Sequence, residues 1–80
     1  MITVEDMFEV LHKSINRIES DHAQEYMDKA KNDQMSRDIV FGMYMVVSSI
    51  NNDLQCEFGD DEVAKAIGIA QLADKLEKYI

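Results

Sequence analysis

Two glutamate–histidine pairs, Glu9-x-x-His12 and Glu19-x-x-His22, have a spacing with a definite chemistry. Three residues apart on a helix, the two side chains project to the same side and can share a metal ion, as in di-iron carboxylate bundles. A complete site of that kind needs further glutamates facing inward from the partner helices. The middle of the chain offers only Asp53 and Glu57, and the last part only Asp74 and Glu77 on a polar face. The pairs lie too far apart along the chain for one site to use both. His12 is expected to be solvated, and His22 to be partly buried at a helix end. A small di-metal carboxylate (ferritin-like) protein is therefore a third reading, which requires subunits to pool their pairs.

A second cluster is acidic. Asp53, Glu57, Asp60, Asp61 and Glu62 fall in one stretch without a base. A calcium-binding EF-hand loop needs glycine at its sixth position and glutamate at its twelfth, and counting from Asp53 those positions are Phe58 and Ala64. The stretch reads instead as a solvated helix–helix corner, or as a docking patch for a basic partner with Phe58 as its apolar anchor. Cys56 has no identifiable base, oxyanion donor or third group around it, and no glycine loop could cradle a phosphate. No catalytic residue, cofactor-binding residue or metal ligand is assigned, and an enzyme is not expected.

Composition narrows the field further. The 80-residue chain has no proline, three glycines, 46% hydrophobic and 30% charged residues, and a net charge of −8. That is globular rather than disordered, helical rather than sheet-forming, and the right length for one domain spanning 1–80. A core of this size gives a thin stability margin, so a homodimer is expected. The acidic balance disfavours nucleic acid and anionic membranes and favours a basic protein partner. One cysteine rules out an intramolecular disulfide, and a free thiol without a signal peptide points to a reducing cytoplasm.

The elements that must position these residues are amphipathic helices. Thr3 with Asp6 forms a capping box, and the apolar stripe Val4, Met7, Phe8, Leu11, Ile15 and Ile18 follows, near-heptad in its spacing 4, 8, 11, 15, 18, 22 and ending on His22. Beyond His22 the apolar set rotates to Ala23, Tyr26, Met27 and Ala30. A bend or break near Ser20 to His22 is expected, with Asp21 as a possible new cap. Unbroken, the helix would exceed ~40 Å at about 1.5 Å per residue and would need a partner helix from another subunit. The run Ile39 to Ile50, too short to span a bilayer, belongs to a central helix capped by Ser36 and stopped at Gly59. Its stripe passes through Val40, Met43, Val46, Val47 and Ile50 to Leu54 and Phe58. A last helix follows Asp60 or Asp61 as cap, with a drifting stripe. Val63, Ile67 and Ala70 face one way, and Ile69, Leu72, Leu76 and Ile80 another. The expected fold is all-α, a small antiparallel bundle of three to four helices over about 4–19, 22–31, 36–57 and 61–79.

Phe41, Tyr44 and Met45 lie off the main stripe of the central helix. Either two other helices sandwich that helix, or these residues meet a second copy or another protein. In composition and fold class the chain resembles small acidic helical proteins: phage-encoded inhibitors of host enzymes, bacteriocin-immunity bundles and antitoxin-like regulators. The leading expectation is a non-catalytic interaction module that binds a larger basic or nucleic-acid-handling protein stoichiometrically and inhibits or regulates it. Its partner surface would join Phe41, Tyr44, Met45 and Phe58 to the acids Asp53, Glu57, Asp60, Asp61 and Glu62. The alternative is a purely structural homodimeric bundle.

Overall fold

A capping box starts the first helix. In the computed structural model, which describes residues 1–80, the Asp6 backbone N–H donates to Thr3 Oγ1 and the Thr3 N–H donates back to Asp6 Oδ2, each at 3.0 Å. Helix α1, Val4–Ile18, follows from there. The backbone does not break where a cap was expected. It stays in the right-handed helical region and passes through one π-helical turn, Glu19–Ala23, in which the Gln24 N–H donates to the Glu19 carbonyl. Helix α2, Gln24–Lys29, continues directly. The wider turn explains the rotated apolar set. Ile18 and Ala23, five apart, line the same concavity, whereas an α-helix would turn them to different sides. Asp21 caps nothing, and its carboxylate instead accepts from the Ser20 hydroxyl. His22 is exposed rather than partly buried.

The chain then reverses, and Arg37 holds the reversal. Its guanidinium donates to the carbonyls of Ala30, at 3.1 Å, and Lys31, at 3.3 Å, satisfying acceptors that the end of α2 leaves free. Helix α3, Gln34–Phe58, begins earlier than Ser36. Asp33 holds the cap position, and Ser36 is a buried residue inside the first turn whose hydroxyl donates to Asp33 Oδ2 at 2.6 Å. Gly59, at φ 76°, ends the helix as expected.

The Ser36 hydroxyl, as the largest influence, holds the Asp33 carboxyl below the ordinary aspartate range. A carboxyl lowered in the folded state contributes stability above its unfolded pKa, and that contribution is lost as pH falls through the folded value. In Ser36→Ala the Asp33 titration should therefore move up toward the ordinary aspartate value, and the acid limb of the stability profile should flatten. Carboxyl NMR titration checks this, and an unmoved Asp33 would contradict it.

The last stretch is two helices, not the single one expected over 61–79. Helix α4, Glu62–Ala66, and helix α5, Ile69–Glu77, are separated by Gly68 in the left-handed region at φ 84°. The drift of the apolar stripe marks this break. Ala64 and Ile67 are buried before it, and Ile69, Leu72, Ala73 and Leu76 after it. These side chains meet Val40 and Val47 of α3 and Ala23, Met27 and Ala30 of the first rod in one core. The result is a small all-α bundle without strands. No helix is long and apolar enough to cross a membrane.

The shape is extended. The principal extents are 46 × 24 × 13 Å, and the Cα radius of gyration is 13.5 Å, against about 11.6 Å for a compact 80-residue domain. Only 13 of 80 residues are buried, and none of them belongs to α1. The rod from α1 through α2 shares the core at its carboxyl end, while along the amino-terminal half of α1 Phe8 packs against the core and Val4, Met7, Val10 and Leu11 stay exposed.

Candidate docking surfaces

Helix α3 carries apolar side chains on two flanks besides its core face. Phe41 and Ile50, nine residues apart, stand half a turn from each other around a helix of 3.6 residues per turn. Phe41 and Met45 are 47% and 54% exposed. Tyr44 is not part of that flank. It is half-buried and packs against the core. The Phe41–Met45 flank is thus a pair of side chains rather than a triad.

The opposite flank forms one wall of a groove of about 390 Å³. Gly42, Met43, Val46, Val47 and Ile50 supply that wall. Ile15, Ile18 and Ala23 of the first rod supply the other, and Ile69, Leu72 and Leu76 of α5 form the floor. Every lining residue is apolar or glycine. The spacing of α3 assigns Val46 and Ile50 to the core stripe, yet both are exposed, Val46 at 62%. Gly42 stands inside a helix, where glycine costs about 0.5–1 kcal/mol relative to alanine. A Cβ placed there would meet nothing within 4 Å, so no packing within the chain accounts for the glycine. This glycine inside the central run is the one residue type along the chain that could have pointed to the groove, and the spacing argument passes over it.

The acidic stretch divides in the structure. Asp53 and Glu57 border a second concavity with Ile50, Leu54, Cys56 and Phe58, and Phe58 is 57% exposed. Asp60 and Asp61 have local partners. The Asp60 carboxylate accepts the Glu62 backbone N–H at 3.0 Å, and Asp61 is paired with Lys65 at 2.9 Å. The Lys65 ammonium lowers the Asp61 carboxyl pKa, and Asp61 raises that of Lys65. Glu62 lies exposed in the first turn of α4. An apolar side chain beside free acids therefore occurs at the end of α3, while Asp60 and Asp61 serve the corner itself.

The glutamate of each glutamate–histidine pair has another partner. Glu9 pairs with Lys13 at 3.3 Å, and Glu19 pairs across the bundle with Lys75 of α5 at 2.8 Å. His12 abuts the α4–α5 junction, where a Cβ added to Gly68 would lie 3.1 Å from its Nδ1. No three His, Cys, Asp or Glu side chains gather where they could hold a metal ion, so each pair could be completed only from another subunit.

No protein-family model matches the chain, and no curated protein or solved structure matches it either.

Proposed function

We propose that this chain is a non-catalytic helical interaction module that binds a larger, basic protein stoichiometrically and regulates it. One observation carries the reading: at the end of α3 the exposed Phe58 shares a concavity with Leu54 and is flanked by Asp53 and Glu57. An apolar anchor with charge at its rim is the usual anatomy of a protein interface, and the acids select the sign of the partner. The net charge of −8 adds long-range attraction to a basic surface. The Phe41–Met45 flank offers a further apolar contact.

The reading includes a narrower form in which the acids occupy the basic groove of a nucleic-acid-handling protein. Binding of that kind weakens steeply as salt screens the charges. The test is affinity isolation from the native host with the wild-type chain, with Phe58→Ala and with Asp53→Lys/Glu57→Lys. A stoichiometric basic protein should be retained by the wild type and lost by both variants, and it should elute as salt rises. A partner held equally by all three chains would overturn the reading. One indifferent to salt would remove the charge-mimic form.

A further inference from the structure

We infer that the groove between the first rod and α3 receives the first turn of α1 from a second copy of this chain, the rest of that amino-terminal half lying antiparallel along the exposed seam of α1 about a two-fold axis at Leu11. The chain leaves two needs unmet, and they match. It has an apolar-lined groove of about 390 Å³, and it has an amino-terminal helix segment whose Val4, Met7, Val10 and Leu11 are exposed.

The areas agree with this. A compact protein of 9.2 kDa exposes about 4,900 Å², while this chain exposes 5710 Å², about 800 Å² more. A standard interface removes about 800 Å² from each partner. The excess of one chain is thus what a stable dimer covers.

The register follows from the seam on α1. Phe8, Ile15 and Glu19 face the chain's own core and α5. Val4, Met7, Leu11, Ser14 and Ile18 follow at alternating spacings of three and four on the exposed side. An antiparallel pairing centred on Leu11 sets Val4 of each copy against Ile18 of the other, at the mouth of the groove. Met7 then covers Ser14, the small polar residue of the seam. Val10, exposed on the edge of the same face, flanks the axis, where Leu11 meets its own counterpart.

The charges fit the same arrangement. The groove lining holds no charged side chain that self-association would bury. Arg17 makes no ion pair in its own chain, and this register brings it alongside Asp6 of the second copy, whose own-chain bond uses only Oδ2. Gly42 gives the incoming helix a wall without a Cβ. An isologous contact of this kind closes at two chains and leaves Phe58, Asp53 and Glu57 outside the α1–α1 seam.

Sedimentation and cysteine cross-linking of the full chain test the inference. The wild type should sediment at twice the chain mass of 9.2 kDa, and Leu11→Asp, which confronts two carboxylates at the axis, should sediment at the single-chain mass. In a Cys56→Ser background, Leu11→Cys, which this register brings face to face with its counterpart at the axis, should form a disulfide-linked dimer with oxidised glutathione as oxidant. Lys31→Cys, which this register holds roughly 60 Å from its counterpart, should not. Self-association should also strengthen as salt rises, since screening relieves repulsion between two acidic chains. Binding to a basic partner has the opposite salt dependence, so the two readings fail separately. A wild type of single-chain mass at every soluble concentration overturns the inference, and so does a dimer in which Leu11→Cys stays reduced. The cross-link is read in a near-native chain, so it decides the matter even if Leu11→Asp fails to fold.

Discussion

Leu76→Ala should cost the chain about 2–5 kcal/mol, the loss usual for a leucine truncated in a core that cannot collapse around it. Leu76 is 0% exposed, in the last turn of α5, beneath the groove and in the one core that joins α3, α5 and the first rod. An 80-residue domain has about 4–12 kcal/mol of total stability, at about 0.05–0.15 kcal/mol per residue. The substitution therefore removes a large share of it. Urea unfolding followed by circular dichroism should show a markedly lower midpoint, measured at one fixed protein concentration because self-association would add to stability. Met35→Ala, at a side chain 71% exposed, should stay within about 0.5 kcal/mol of the wild type. Equal losses at both positions would mean that the core does not sit where α5 meets α3.

Much of this core is legible in the sequence because helical spacing reports burial directly. Val40 and Val47 recur at seven residues, Leu72 and Leu76 at four, and the capping box at Thr3 follows from residue types alone. Where the reading departs from the structure, residue type offers a cap but does not decide whether the backbone uses it. Ser20 and Asp21 are good caps, yet their hydroxyl and carboxylate bond to each other while the helix continues by widening one turn. Ser36 is also a cap by type, but Asp33 takes the position and uses Ser36 as a donor.

The candidate surfaces are legible only in part. Phe41 and Met45 can be placed off the stripe from spacing, and so can the acids near Phe58. The groove cannot, because Val46 and Ile50 belong to the α3 stripe whether or not a helix of the same chain covers them. Coverage depends on the angle at which α1 leaves α3, a tertiary quantity. The lone signal along the chain is Gly42, whose missing side chain has no local use.

Gly68→Ala is expected to be the costliest substitution outside the buried side chains, and its effect should separate into two parts. The first is backbone. Gly68 holds φ 84°, where an L-residue with a Cβ loses about 1–2 kcal/mol. The second is contact. The new Cβ would stand 3.1 Å from His12 Nδ1 and 3.3 Å from Cε1, so the imidazole must give by a few tenths of an ångström. Relaxing the backbone into one straight helix offers no escape. At about 100° per residue, Ile67 and Ile69 would then face nearly opposite ways, and both are buried. The left-handed glycine lets α4 and α5 bury their apolar sides in the same core. A double-mutant cycle with His12→Ala distinguishes the parts. Gly68→Ala should remain destabilising by about 1 kcal/mol or more in the His12→Ala background, because the φ penalty is untouched. The coupling between the two substitutions measures the contact. If Gly68→Ala were harmless in both backgrounds, α4 and α5 would have to be one continuous helix. The core joining Ile67 to Ile69 would then not exist as described.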